Sequence, residues 1–111
     1  MNTWKPIPTI DGYFEASDSG QIRRAKHFKN KSCIKPLAQR PLPAGYLLVA
    51  LWHDGRTVSR LVHRLVAEAF YGPCPTGLEV NHKDGNKRNN RPDNLEYVTR
   101  SQNLLHAVAT T

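Results

Sequence analysis

The sequence contains few cysteines and no long apolar run. These shortages argue against a cysteine-based zinc site, a signal peptide and a membrane-spanning segment. Cys33 and Cys74 are its two cysteines and lie far apart in the chain, so they form neither a CxxC pair nor, by themselves, a four-ligand zinc site. The N-terminus lacks the apolar run of a signal peptide, and no apolar segment approaches the ~20 residues that span a bilayer. We therefore expect a soluble intracellular protein with free thiols and no membrane partner. Its 111 residues suffice for one domain.

Acidic residues are also scarce, with 9 Asp and Glu against 16 Lys and Arg, a formal net charge of +7 and a pI of about 9.8. Residues 21–52 contain no acid at all. Such an excess of positive charge favours a polyanionic partner, most simply nucleic acid, over a merely solubilising surface. The residues predicted to contact DNA, chiefly at phosphates, are Arg23, Arg24, Lys26, Lys29, Lys31 and Lys35.

The first 45 residues are predicted to form a basic, β-rich DNA-binding segment with a linker. Two short β-prone runs, 13–16 and 21–25, flank a Ser-Asp-Ser-Gly sequence and predict a small hairpin. Residues 26–45 are basic and contain several prolines, with little periodicity, so we predict a loop that becomes ordered on DNA.

Residues 46–111 are predicted to form the second unit of an α+β protein. Residues 46–59 are two β-prone runs joined by Asp54-Gly55, which is typical of a tight hairpin. Residues 60–70 place their apolar side chains on one face, as an amphipathic helix does, and Ser59 is a candidate cap for that helix.

Three aromatic or histidine side chains are predicted to pack rather than to bind. We expect Phe14 and Trp52 in the core, although exposed aromatics could instead stack on bases. His63 shares a helix face with Ala67 and Phe70, so we expect a packed histidine with satisfied hydrogen bonds rather than a ligand.

The last unit, residues 78–108, is predicted to run strand, polar loop, strand, helix. Thr99 and Gln102 have capping-box spacing, so the helix should begin at Arg100. Asparagines concentrate around the loop, at positions 81, 86, 89, 90, 94 and 103. Because asparagine is poor in helix interiors and in strands, this density marks turns, caps or polar ligands.

Histidine and oxygen donors near one strand end are suited to phosphodiester hydrolysis. That reaction needs a base to deprotonate water and a positive centre to stabilise charge on phosphate oxygens, which a histidine and a hard divalent cation supply. His82, Asn81, Asn94 and Asn103 would meet these needs if the strands pair and the helix packs across them. Taken singly, His82 could be a surface histidine, and Asn86, Asn89 and Asn90 are better explained as residues that shape the loop.

The segment from Asn81 to Asn103, together with residues 62–70, resembles the HNH endonuclease family, most closely its small phage and intron-borne homing type. Residues 4–23 are similar to a modular DNA-binding motif that often accompanies these nucleases. The resemblance implies a ββα-metal (His-Me finger) core and metal-dependent hydrolysis of double-stranded DNA with one Mg²⁺ or Mn²⁺ ion. It also implies the cytoplasm of a bacterial or phage-infected cell. One such site cuts one strand, so double-strand cleavage would need a homodimer or two successive nicks.

The resemblance also implies roles for individual residues. His82 would be the general base, and Asn94 would orient its imidazole. Asn81 and Asn103 would bind the metal, with His106 and Asp84 as alternative ligands. Many relatives have Asp at the position of Asn81, and an amide offers a cation only a dipole where a carboxylate offers a full charge. The amide therefore keeps a second reading open, a DNA-binding module of the same fold with weak or no turnover. The basic segment keeps a third open, a small RNA-binding protein.

Overall fold

Three small antiparallel sheets and two α-helices make up the part of the chain that the computed structural model describes. That part comprises residues 3–10, 12–25, 35–53 and 55–110, of which 53 and 106–110 are described by their backbone only. Neither helix within it is long and apolar enough to cross a membrane.

The first sheet contains β1 (Trp4–Pro6), β2 (Phe14–Ser17) and β3 (Ile22–Arg24), with a 3-10 turn at Pro8–Ile10. The predicted hairpin is confirmed as β2 and β3, whereas β1 was not predicted. The buried hydroxyl of Ser17 accepts hydrogen bonds from the backbone N–H groups at positions 19 and 21, over 3.3 and 3.0 Å. These bonds hold the turn between β2 and β3 in one conformation.

The second sheet contains β4 (Gln39–Pro41), β5 (Leu47–His53) and β6 (Arg56–Leu61), in that order. The predicted hairpin is confirmed and its turn lies where expected, since His53 pairs with Arg56. The strand β4 falls within the segment predicted as a loop. It is an edge strand, where a proline such as Pro41 does not interrupt the backbone hydrogen bonds between neighbouring strands. Because β4 pairs with β5, this sheet crosses the domain boundary predicted at residue 45.

Helix α1 (Val62–Tyr71) follows β6 without a loop. The helix was predicted at residues 60–70 with Ser59 as its cap, and the cap was wrong: Ser59 pairs with Ala50 inside the sheet. The N-cap residue is Leu61, which makes no side-chain cap hydrogen bond. The helix buries Val62, His63, Leu65, Val66 and Ala67, and the core around it draws residues from all three sheets. The helix therefore joins the N-terminal sheet to the C-terminal unit.

The two aromatic residues predicted for the core differ in outcome. Phe14 is 2% exposed, as expected, but Trp52 is 52% exposed. Side chains alternate along a strand, and β5 turns Val49 and Leu51 inward, so the ring of Trp52 faces the other side. The Arg24 guanidinium lies over that ring, 5.3 Å from its centroid.

The predicted ββα unit is confirmed as β7 (Leu78–His82), β8 (Leu95–Thr99) and α2 (Arg100–Thr110), with a 3-10 turn at Pro92–Asn94. The capping box forms: Thr99 N–H donates to Gln102 Oε1 over 2.9 Å, and Gln102 N–H donates to Thr99 Oγ1 over 3.2 Å. Asn81 pairs with Glu96, and His82 pairs with Leu95. Opposed residues share a face of the hairpin while successive residues alternate, so Asn81 and His82 leave β7 on opposite sides.

Candidate active site

His82 is the last residue of β7 and is only 5% exposed. Its Nε2 lies 2.7 Å from Oδ1 of Asn90. The rings of His63 and Tyr46 lie beside it, with centroids 5.0 and 6.1 Å away. Burial lowers the pKa of His82 below its ordinary 6.5, against the opposing effects of the Asn90 hydrogen bond and the Asp84 charge. His82 is therefore neutral near pH 7, as a proton acceptor must be.

Asn90, and not Asn94, is the side chain that contacts the His82 ring. The resemblance assigned that position to Asn94, but the structure uses the Asn94 amide elsewhere. Its Oδ1 accepts from the backbone N–H of Asp84 over 3.1 Å, and its Nδ2 donates to Asp84 Oδ1 and to the Asn89 carbonyl, each over 2.9 Å. Asn90 is 3% exposed and had been interpreted only as a loop residue. A sequence contains no signal for which of several neighbouring asparagines turns inward.

The loop between β7 and β8 is organised around Asp84. Its carboxylate accepts from Asn86 N–H over 2.8 Å, from Asn89 Nδ2 over 2.8 Å and from Asn94 Nδ2 over 2.9 Å. These bonds, with that of Asn89 the largest contributor, hold the pKa of Asp84 below its usual range. The interpretation of Asn86 and Asn89 as loop-shaping residues is confirmed. Asp84 has both carboxylate oxygens engaged in the loop, and its use as an alternative metal ligand stays a prediction.

The two asparagines predicted as metal ligands each donate to a glutamate. Asn81 Nδ2 lies 2.9 Å from Glu96 Oε2, and Asn103 Nδ2 lies 2.6 Å from Glu79 Oε1. Glu79 and Asn81 are two residues apart on β7, and Glu96 pairs with Asn81, so all three occupy the face of the hairpin that Asn103 of α2 reaches. The structure thus brings both asparagines to one face with two carboxylates.

This set of donors fits a hard divalent cation. Each amide gives its N–H to a carboxylate, and its Oδ1 accepts no hydrogen bond from the described residues. Amide oxygens with acidic neighbours suit Mg²⁺, which keeps several of its waters. No three His, Cys, Asp or Glu side chains within the described ranges are placed to hold a metal. That Asn81 and Asn103 bind the metal stays a prediction. The side chain of His106, the other alternative, lies outside the described residues.

His63 packs against the site as a neutral ring. It is 5% exposed and stacks on Tyr46 with ring centroids 5.0 Å apart. Burial, then the charges of His82 and Arg64, lower the pKa of His63 to about 3. Packing was predicted and is found, but its hydrogen bonds are not all satisfied: Nδ1 is buried and has no partner among the described residues. His63 adds no positive charge beside His82.

The residues predicted to contact DNA are described in part. Arg23 donates from Nε to Glu15 Oε1 over 3.0 Å, and its guanidinium lies 3.9 Å from the Trp4 ring centroid. The Arg24 guanidinium lies 5.5 Å from the Phe14 ring centroid and 5.3 Å from that of Trp52, and Lys35 is exposed. Lys26, Lys29 and Lys31 lie outside the described residues.

A second group of cations, which the sequence reasoning passed over, lies on the loop that follows His82. Its exposed members are Lys83, Lys87, Arg88 and Arg91. The lysines and arginines of that loop were a sequence signal for a cationic surface, but the acid-free segment 21–52 was the stronger one. Lys87 donates from Nζ to the Ala44 carbonyl over 2.8 Å and lies 4.8 Å from the Tyr46 ring centroid. The loop therefore presents positive charge beside the buried histidine.

Comparisons with known proteins show the family to which the chain is similar. Residues 60–105 match the HNH endonuclease family, and residues 3–52 match the NUMOD4 motif. The chain is 36% identical over 106 residues to DNA endonuclease I-HmuI of Bacillus phage SP01, covering 96% of this chain and 58% of that protein. It is 40% identical over 113 residues to H-N-H endonuclease F-TflII of Escherichia phage T5, covering all of this chain and 53% of that protein. The chain thus spans somewhat more than half the length of these relatives.

A solved structure is similar as well. It is that of the HNH homing endonuclease I-HmuI, solved to show DNA binding and cleavage, and it superposes with a TM-score of 0.80 at 33% identity, covering 98% of this chain and 60% of that one. The likeness covers both the N-terminal sheets and the ββα unit.

Proposed function

Because the chain carries an HNH endonuclease domain preceded by a NUMOD4 motif, we propose that it is a metal-dependent DNA endonuclease. The observation that supports this most is the neutral, buried His82 at the end of β7, one residue from Asn81 on the opposite face. A base and a cation ligand from one strand end can both reach a phosphate at the edge of the hairpin.

His82 acts in this proposal as the general base that takes a proton from water. Asn81 and Asn103 would hold one Mg²⁺ or Mn²⁺ through their Oδ1 atoms, with Glu96 and Glu79 fixing the amides. The bound cation would supply positive charge for the phosphate oxygens and the leaving oxygen. Asn94 contributes by closing the loop on which Asn90 lies.

Double-stranded DNA is the proposed substrate. The cationic loop after His82 would contact phosphates near the cut, and Arg23, Arg24 and the basic residues that follow them would contact phosphates farther away. One active site nicks one strand, so we propose nicking by a monomer, and double-strand cleavage only through a homodimer or two successive nicks.

Nicking of supercoiled plasmid tests the proposal. Purified protein should convert it to the open circle with Mg²⁺ or Mn²⁺ and not with EDTA. His82→Ala should lose this activity while retaining DNA binding and the circular dichroism spectrum of the parent. Undiminished nicking by His82→Ala would overturn the assignment.

The second candidate is a DNA-binding module with weak or no turnover, and Asn81 is the observation that favours it. A metal titration separates the two. Tight, salt-dependent DNA binding without cleavage in any divalent cation would support the module. Competition between duplex DNA and RNA at fixed salt decides the nucleic acid.

A further inference from the structure

The turn between β2 and β3 touches the loop that carries Asn90. Gly20 in that turn has a φ of +85°, and a Cβ placed there would lie 3.1 Å from the Asn90 carbonyl oxygen and 3.2 Å from its carbonyl carbon. The obstacle is backbone, not the end of a flexible side chain. Any larger residue at position 20 must therefore displace either its own turn or Asn90.

Several hydrogen bonds hold this turn in place. Besides the Ser17 hydroxyl bonds, Gly20 N–H donates to the Ser17 carbonyl over 3.1 Å. The Gly20 carbonyl accepts from Gln39 Nε2 of β4 over 2.9 Å. Gly20 is thus bonded to the first and second sheets at once, and we expect a larger residue at position 20 to displace Asn90.

Asn90 in turn contacts His82 through an oxygen. A neutral imidazole carries one proton, and the ring nitrogen that faces a side-chain oxygen is the one that holds it. Oδ1 of Asn90 lies 2.7 Å from Nε2, and its Nδ2 is buried without a partner among the described residues. With the amide in this orientation the proton would lie on Nε2 and Nδ1 would be the basic nitrogen. The reversed amide would donate from Nδ2 and place the proton on Nδ1.

We propose that the β2–β3 turn is a positioning element of the active site, in which Gly20 fixes Asn90 and Asn90 holds His82 in the Nε2–H tautomer, leaving Nδ1 to accept the proton of water. The inference rests on the proposed function for the role of His82, but the contacts and the tautomer do not depend on it. Gly20 and Asn90 are positioning residues. The N-terminal motif is then part of the catalytic unit as well as a DNA-binding segment.

The ¹⁵N shifts of His82 measure the tautomer directly, in protein free of metal and DNA at pH 8. We expect Nε2–H in the parent. Asn90→Asp keeps an oxygen acceptor and should retain Nε2–H, whereas Asn90→Leu should give a mixture. With plasmid DNA, Asn90→Leu should lose at least tenfold in kcat with the Kd for DNA within twofold of the parent, and Asn90→Asp should recover part of that loss.

Gly20→Ala should shift the tautomer and lower kcat in the same direction as Asn90→Leu. Gly55→Ala is its matched control, because Gly55 also lies in a hairpin turn, with φ +75°, but a Cβ there meets nothing within 4 Å. It imposes similar backbone strain without the contact, and should leave both readouts unchanged.

Two outcomes would overturn the inference. One is an Nδ1–H tautomer in the parent, which would mean that Asn90 donates. The other is a Gly20→Ala variant that matches Gly55→Ala in tautomer and kcat. Either result would leave the endonuclease assignment intact if His82→Ala is inactive. If Gly20→Ala does not fold, the parent tautomer and the two Asn90 variants decide the question.

Discussion

Asn81 donates its side-chain amide to the carboxylate of Glu96, with Nδ2 and Oε2 2.9 Å apart across the β7–β8 pair. Many relatives have an aspartate where this chain has Asn81, and this contact changes what that difference implies for metal binding. The negative charge is absent from the proposed ligand position but is present one hydrogen bond away. It also turns the amide oxygen of Asn81 away from Glu96, where a cation can use it.

Exchanging acid and amide between these two positions should tighten metal binding. The Asn81→Asp/Glu96→Gln double variant keeps the net charge and the hydrogen bond, with donor and acceptor reversed, but moves the carboxylate to the ligand position. We expect Mn²⁺ to bind at least tenfold more tightly by calorimetry, or ~1.4 kcal/mol. Glu96→Gln alone should weaken binding. Equal affinity in the parent and the double variant would show that position 81 is not a ligand.

Loss of the Asn94 amide should loosen the loop that carries Asn90. Asn94 is 8% exposed, and Asn94→Ala leaves the Asn89 carbonyl and the Asp84 N–H without their partner, at a cost of about 2 kcal/mol in unfolding free energy. Turnover should fall more than DNA binding. Asn86→Ala is the control, because Asn86 is exposed and its side chain makes one hydrogen bond, to Arg88 N–H. If urea melts of the two variants coincide, Asn94 does not organise the loop.

His63 should make the protein less stable in acid. Its pKa is about 3 in the folded protein against an ordinary 6.5, so between these values the unfolded chain binds a proton that the folded chain does not. Its contribution to stability is therefore complete above pH 6.5 and falls as the pH drops, by up to ~1.4 kcal/mol per unit.

His63→Phe should flatten that dependence, since phenylalanine can stack on Tyr46 and cannot be protonated. The unfolding free energy of the variant should change less than that of the parent between pH 7.5 and pH 5, as urea titrations would measure. His82, whose pKa is also lowered, keeps part of the effect in both proteins. The same loss of stability in parent and variant would mean that His63 is not buried as a neutral ring.

The local signals in the sequence were enough to predict the C-terminal unit. The capping box at Thr99, the asparagine-rich loop and the short β-prone runs each depend on neighbours in the chain, and all three elements formed as expected. The β2–β3 and β5–β6 hairpins were predicted for the same reason. Ser59 failed as a cap because β6 continues past it and pairs it with Ala50 across the hairpin, so that the helix begins only at Val62.

The partner of His82 depended on packing that the sequence pattern does not specify. Asn90 lies in a loop that Asp84 and Asn94 close with a hydrogen bond, and a turn of another sheet passes close to its backbone at Gly20. A motif identifies which residue types are present, but the three-dimensional contacts decide which amide reaches the imidazole. Trp52 was misplaced because its face depends on how β5 lies over α1, which the β-prone run alone does not specify.

The cationic loop after His82 should account for part of the salt dependence of DNA binding. If the exposed Arg88 contacts a phosphate, Arg88→Ala should reduce the slope of log K against log salt by ~0.9 and weaken binding to all sequences alike. Arg23→Ala is the informative comparison, because the Arg23 guanidinium is already bonded to Glu15 and stacked on Trp4. It should lower the melting temperature and change the slope less. A larger slope change for Arg23→Ala would place the main phosphate contacts on the N-terminal segment, as the charge distribution in the sequence suggests. The loop beside His82 would then contribute little to DNA affinity.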